Sequence, residues 1–269
     1  MSGFARRVAL GRSGLRVSRI GLGASYGISY EACRAAFDAG VNYFFWGSVR
    51  TVGMGLAIRE IAARQRAELV VVVQCYVRDP RKIGQSLELA LRKGQLDYAD
   101  VVLLGWHDEL PSAKVLDAAH ALIEQGRCRH LGISSHNRPL FVELAKDPRL
   151  EVFHVRYNAA HRGAEREVFP LLSAPAPGIV SFTNTRWGDL LRAQNIPPGM
   201  APPSAADCYR FVLSNPHVQV AISGPKDDEQ AREALSVLEL GPLDAAELQR
   251  MGVIGDHVHG VRSFRELFA

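Results

Sequence analysis

Short apolar runs alternate with amphipathic stretches along the whole chain. Strand-sized runs fall at Arg19–Leu22, Asn42–Phe45, Leu69–Cys75, Val101–Leu104, His130–Ile133, Val152–Val155, Gly178–Phe182 and Val218–Ile222. Between them, apolar positions recur at helical spacing over Tyr30–Asp38, Met54–Gln65, Lys82–Lys93, Ala113–Glu124, Leu140–Lys146, Ala164–Leu172 and Ala205–Leu213, and Asp228–Leu238 follows the last run. Continuous rather than alternating apolar strands are those of a parallel sheet covered on both faces. Eight such βα units in one chain predict an α/β fold, a closed (β/α)8 TIM barrel filling residues 1–269 as one domain. Ahead of the first unit, Val8, Leu10, Leu15 and Val17 alternate around Gly11–Gly14, which predicts a β-hairpin placed to plug the closed end.

The competing architecture is an open doubly wound sheet, for which GLGASYG (Gly21–Gly27) is the best support. Its spacing is GxGxxxG rather than GxGxxG, and no acidic residue ends a second strand at the required distance. The loosest stretch, NIPPGMAPPS (Asn195–Ser204), reads as a surface loop or a flap over the barrel mouth.

Composition narrows the class. The 269 residues are 47% hydrophobic, enough for a large core. No apolar run reaches the ~18–20 residues of a membrane span, and the N-terminus lacks the apolar stretch of a signal peptide. A cytoplasmic protein is the expectation. Net charge is +4, but the basic residues are scattered, which argues against a nucleic-acid partner. Cys33, Cys75, Cys128 and Cys208 fit no zinc spacing, so no metal is expected.

Five blocks carry a resemblance: LGRSGLRVSRIGLG, QLDYADVVLLGWHD (Gln95–Asp108), LIEQGRCRHLGISSH (Leu122–His136), the VRYN of Val155–Asn158, and ISGPKDDEQAREAL (Ile222–Leu235). In this order and spacing they resemble the aldo-keto reductase family. The resemblance implies a barrel that binds a nicotinamide dinucleotide, NADP slightly before NAD, in extended form at its C-terminal face. It also implies a small-molecule carbonyl substrate and a catalytic Asp, Tyr, Lys and His. Hydride transfer to a carbonyl needs an acid at the oxygen, because negative charge develops there.

That tetrad is missing from this sequence. Phe45 stands at the Asp position, Cys75 at the Lys position and Gly105 at the His position, and no Tyr lies between Tyr43 and Tyr76. Losing one partner of a buried Lys–Asp pair strands the other at a cost of ~3–5 kcal/mol. Here both are replaced together by uncharged residues, which describes a rebuilt pocket.

The cofactor contacts implied by the resemblance survive in part. Gly23 follows the first strand. Ser134, Ser135 and His154 take the carboxamide-binding places, and each can still donate or accept. Phe182 takes the place of the aromatic that stacks on the nicotinamide. Arg186 is the fixed charge for the pyrophosphate. Gly224 opens a helix whose N-terminus favours phosphate, Lys226 faces a 2′-phosphate, and Gln230 and Glu233 lie toward the adenine. Asp227 and Asp228 are alternatively simple helix caps.

Candidate replacement acids are Tyr76, His107 and Tyr26, with Arg50 and His154 further catalytic candidates for proton transfer or charge stabilisation, and Trp46, Arg50, Trp106, His107 and Tyr157 line the expected substrate mouth. By strand alternation His154 and Arg156 share one face. Cys75 is expected at the lumen floor as an inert thiol. His161, Arg162 and His136 extend a cationic, aromatic rim suited to an anionic substrate. His257 and His259 read as a tail loop. Three functions follow: a divergent NADP(H)-linked oxidoreductase, a barrel recruited to lyase, cyclase or isomerase chemistry, or a non-catalytic nucleotide-sensing or partner-binding pseudoenzyme.

Overall fold

The computed structural model describes residues 3–47 and 51–260. The chain runs β1 (Val8–Ala9), β2 (Arg16–Val17), β3 (Ile20–Gly23), α1 (Tyr30–Asp38), β4 (Tyr43–Trp46), α2 (Val52–Gln65), β5 (Val70–Cys75), α3 (Pro80–Gly94), β6 (Ala99–Leu104), α4 (Ala113–Glu124), β7 (Cys128–Ser135), α5 (Arg138–Leu144), β8 (Leu150–Arg156), α6 (Ala164–Glu167), β9 (Gly178–Phe182), α7 (Ala205–Ser214), β10 (Val220–Ser223), α8 (Asp228–Ser236) and α9 (Ala245–Gly260). Strands β3 to β10 close in sequence order into a parallel barrel, with β10 paired to both β3 and β9. This is the (β/α)8 barrel expected from the apolar runs, and it excludes the open sheet.

Strand alternation divides the core in two. Tyr43, Val70, Val72, Val101, Leu103, Val152, Val180, Val220 and Ile222 fill the lumen. Phe44, Trp46, Val71, Val73, Cys75, Val102, Leu104, Ile133 and Phe153 face the helices. The β1–β2 hairpin is present, and Leu10 and Val17 close the lumen from below. Gly11 sits at φ 48, and a Cβ there would overlap the backbone of Gly178, so only glycine lets the hairpin dock on β9.

Polar side chains fix the helix starts. Ser29 accepts from the Ala32 N–H, Asp79 from Arg81, and Ser204 and Asp207 form a reciprocal capping box on α7. The Pro-rich stretch 195–204 packs against the molecule: Ile196 is buried, and Arg250 of α9 donates to the Ala201 carbonyl. The expected tail loop is instead part of α9. His259, in the last turn of α9, donates from Nδ1 to the Ala160 carbonyl at 2.7 Å, and Arg162 pairs with Asp256.

Candidate active site at the barrel mouth

The mouth is built by the last lumen-facing residue of each strand and the turn beyond it. Phe45 ends β4 on the lumen side, where the tetrad Asp was expected. Its ring meets His154 edge-on at 5.2 Å between centroids. Gly23 lies beside it: a Cβ there would stand 3.0 Å from Ile222 and 3.4 Å from the Ser223 carbonyl. A Cβ there would fit only if Ile222 gave way by a few tenths of an ångström.

Alternation along β5 corrects the reading of Cys75. Val70 and Val72 face the lumen, so Gln74 does too, and Cys75 packs among the helix-facing residues at 2% exposure. Gln74 is the functional candidate that sequence reasoning passed over. Its amide lies between two glycines: a Cβ on Gly105 would overlap Gln74 Nε2, and one on Gly47 would stand 3.6 Å from Oε1. The missing side chain at Gly105 is thus the room that Gln74 occupies. The signal was available, since counting by twos from Val70 reaches Gln74.

Beyond β6 the chain turns at Trp106, whose φ of 37 is a strained value for a non-glycine residue. Its N–H donates to Ser134 Oγ at 3.1 Å, and the His107 N–H donates to the Ser134 carbonyl at 2.9 Å. Ser134 therefore positions this turn. His107 is buried, with Arg78 2.9 Å from its Nδ1; Arg78 also reaches the Trp106 carbonyl. Burial first, and Arg78 second, push the His107 pKa down to about 4. Tyr76 folds over Gly105, its Cδ1 3.0 Å from where a Cβ would sit, and desolvation raises its pKa.

Three rings form the other wall. His136 lies 4.6 Å from Trp106 and stacks on Phe182 at 5.6 Å with an interplanar angle of 24°. Desolvation, then Arg156, lower the His136 pKa, with Asp108 opposing. One residue pair deeper, His154 is paired in register with Ser134 and Val180, and its Nε2 is 2.8 Å from the Tyr43 hydroxyl. Burial alone brings the His154 pKa down to about 3 and raises that of Tyr43 well above its usual value.

Several expected site residues lie elsewhere. Trp46 is buried between β4 and the helices, its ring against Gly55 and Gly94, not at the mouth. Tyr157 belongs to the outer core and donates to Glu165 at 2.6 Å. Ser135 is fully buried and accepts from the Asn137 N–H, holding the turn before α5. Arg186 is 1% exposed and donates to the Val258 carbonyl of α9, so the loop after β9 turns its cation inward, away from any pyrophosphate. Glu233 Oε1 accepts from the Ala205 N–H at 2.8 Å, capping α7 rather than facing an adenine. Gln230 accepts from the Lys226 N–H, and Asp227 caps α8 as the bland reading had it. His161 sits against Asn158 and His259. Arg50 lies outside the described residues.

Three of the places that the resemblance implies for a dinucleotide remain at the mouth, the Phe182 ring being covered by His136. Phe182 offers a ring at a strand end, and Gly23 offers bare backbone. At the start of α8, Gly224 lies against the Tyr26 ring and Lys226 is exposed. Among the described residues no group of three or more side chains is arranged to hold a metal, and no helix is long and apolar enough to cross a membrane.

Comparison with known proteins gives the same picture. An L-galactose dehydrogenase of Arabidopsis thaliana is 26% identical over 228 residues, covering 73% of this chain and 70% of its own. Among solved structures, the holo form of an aldo-keto reductase from Bacillus halodurans superposes with a TM-score of 0.80 at 18% identity, over 97% of this chain and 99% of that one. An aldo/keto reductase from Klebsiella pneumoniae, in complex with NADP and acetate, gives 0.77 at 20% identity, over 93% of this chain and 95% of its own. The sequence pattern of the Aldo/keto reductase family matches residues 23–199, and the chain belongs to that family.

Proposed function

We propose that this chain is a nicotinamide-dinucleotide-linked oxidoreductase that polarises a small carbonyl substrate with neutral hydrogen-bond donors instead of a tyrosine acid. The observation that carries this reading is Gln74. Its amide reaches the mouth through space that Gly47 and Gly105 leave open, beside the lumen-facing place of the missing Asp. A bound nicotinamide supplies the hydride. The chain's own residues do the rest. Phe182 offers a face for a flat ring once His136 swings off it. Gln74 donates an N–H to the substrate oxygen as charge develops there, an interaction strengthened where water is excluded. Phe45 and Ile222 keep the lumen below dry. Arg156 and Arg78 flank the opening and favour an anionic substrate such as a short keto acid. Lys226 at the start of α8 favours the 2′-phosphate of NADP.

Fluorescence titration with NADPH, followed by NADPH oxidation across a panel of short aldehydes and keto acids, tests the reading. Gln74→Leu should cut kcat by about tenfold or more, with NADPH affinity unchanged. A protein that leaves the fluorescence of both NADPH and NADH untouched at millimolar cofactor is not a nucleotide-linked enzyme.

A second reading, nucleotide binding without turnover, is favoured by one observation. His154 and His107 both titrate far below neutrality, so neither is an acid matched to physiological pH. It predicts NADPH binding with no oxidation by any carbonyl in the panel.

A further inference from the structure

Phe182 ends β9 at the mouth, but its ring is already stacked in the resting chain. The His136 imidazole lies against it, with centroids 5.6 Å and planes 24° apart. The same imidazole lies 4.6 Å from the Trp106 ring. Strand β8 separates β7 from β9, so His136, one residue beyond β7, reaches across the end of β8 to make this stack. Trp106 likewise stands in the turn beyond β6. The two rings therefore cover Phe182 from the mouth side. A nicotinamide stacked there needs the place that the imidazole holds.

Little has to move to clear that place. Ser135, before the histidine, is fully buried. Asn137, after it, is pinned twice: its N–H donates to Ser135 Oγ at 2.9 Å and its side-chain amide donates to the Asp108 carbonyl at 3.0 Å. Trp106 is fixed by its N–H on Ser134 Oγ and by its indole N–H, which donates to Asp108 Oδ1 at 3.2 Å. His136 itself is half-buried, and among the described residues no hydrogen bond holds its imidazole. Ring contacts keep it in place, and such pairs are individually weak. Rotation of one side chain to another staggered rotamer clears the face and leaves the backbone where it is.

We propose that His136 is a gate on the nucleotide site: at rest it occupies the Phe182 face, and a nicotinamide ring binds only to the minor population in which the imidazole has rotated away. The inference rests on the nucleotide-linked reading above and gives that site its regulation. Apparent affinity is lowered by the fraction of chains that are open. The adenosine end of the dinucleotide, at the start of α8, lies outside the gate.

Calorimetric titration of the full chain, His136→Ala and His136→Phe tests this, with NADPH, NADH and 2′,5′-ADP, which carries the adenosine end without a nicotinamide. His136→Ala should tighten NADPH by about tenfold, or about 1.4 kcal/mol, and leave 2′,5′-ADP unchanged. His136→Phe restores a flat ring and should return NADPH affinity toward that of the parent. Proton spectra read the gate without a titration. The His136 ring protons, assigned through His136→Ala, should be shifted upfield by Trp106 and Phe182 in the ligand-free chain, and saturating NADPH should remove the shift. NADPH affinity in His136→Ala equal to or weaker than the parent's overturns the gate, and so does 2′,5′-ADP tightening by the same factor. Ring protons unshifted at rest, or still shifted at saturation, overturn it as well. If none of the three proteins binds NADPH or NADH, the nucleotide reading falls and the gate with it, even where the resting shift is present.

Discussion

One position separates Gln74 from Cys75, and it decides whether a lysine is tolerated. Cys75 faces the helices among Val71, Val73 and Leu104. Cys75→Lys would bury an unpaired ammonium there, at a cost of about 3–5 kcal/mol. Gln74→Lys places its ammonium at the mouth, at a cost of about 1 kcal/mol or less. Urea unfolding of the two variants measures the difference, and equal midpoints would mean that β5 is rotated from the register described. That Phe45 and Gly105 carry no proton-transfer group is legible from residue identity alone. The facing of Cys75 is legible only by alternation, since counting by twos from the lumen-facing Val70 and Val72 reaches Gln74 and leaves Cys75 on the helix side. His154 gives a second prediction at this scale. Its folded pKa of about 3 lies below the ordinary 6.5, so between those values the unfolded chain binds the extra proton. The contribution is complete above about pH 6.5 and is lost as pH falls toward 3. His154→Gln should remove one proton's share of the acid slope of stability, at most about 1.4 kcal/mol per pH unit. Parallel pH profiles for the two proteins would show that His154 is not buried neutral.

At the level of elements, periodicity carried most of the fold. Helices Tyr30–Asp38 and Ala113–Glu124 and strand Gly178–Phe182 have the bounds that the apolar pattern predicts, reinforced at the first by the Ser29 cap. The segment read as Ala164–Leu172 breaks at Val168, and a short 3-10 turn follows, since Pro170 cannot continue the helix. Helix α9 was missed although its start carries a signal: Asp244 and Glu247 each accept from the other's N–H at 2.8 Å. The pattern Asp-x-x-Glu before Leu248 and Met251 is that of a capping box. What docks α9 is not legible in one sequence, because it is a close approach across nearly a hundred residues. Gly255 lies so near the Ala159 carbonyl that a Cβ would overlap it. Backbone cannot give way as a side chain can, so Gly255→Ala should cost about 1–3 kcal/mol. It should also speed hydrogen exchange in α9 and in the turn at Asn158–His161, where His259 and Arg162 tie the two together. Exchange that stays slow in both places would show that the helix is docked by other contacts.

The whole molecule carries a net charge of +4, but what bears on nucleotide choice is where the cations stand. Arg186 is turned into the protein, and Glu233 and Gln230 are engaged in holding α7 and the start of α8. Lys226 remains at the start of α8, exposed and 4.0 Å from Asp227. An exposed ion pair of this kind is weak and screened, so the ammonium is available to a stronger anion. NADP and NAD differ by the 2′-phosphate alone, and any preference this barrel has must come from such a place. Lys226→Glu puts a repulsive charge where that phosphate would sit. It should raise the NADPH dissociation constant by about tenfold, or about 1.4 kcal/mol, while NADH binding changes little. Added salt should weaken NADPH binding to the parent protein more than NADH binding, and the variant should lose that difference. Paired fluorescence titrations at low and high salt measure all four affinities. If Lys226→Glu shifts NADPH and NADH alike, the helix start affects the site only generally. The extended placement of the dinucleotide, with its phosphate end at α8 and its nicotinamide at Phe182, would then have to be abandoned for this chain.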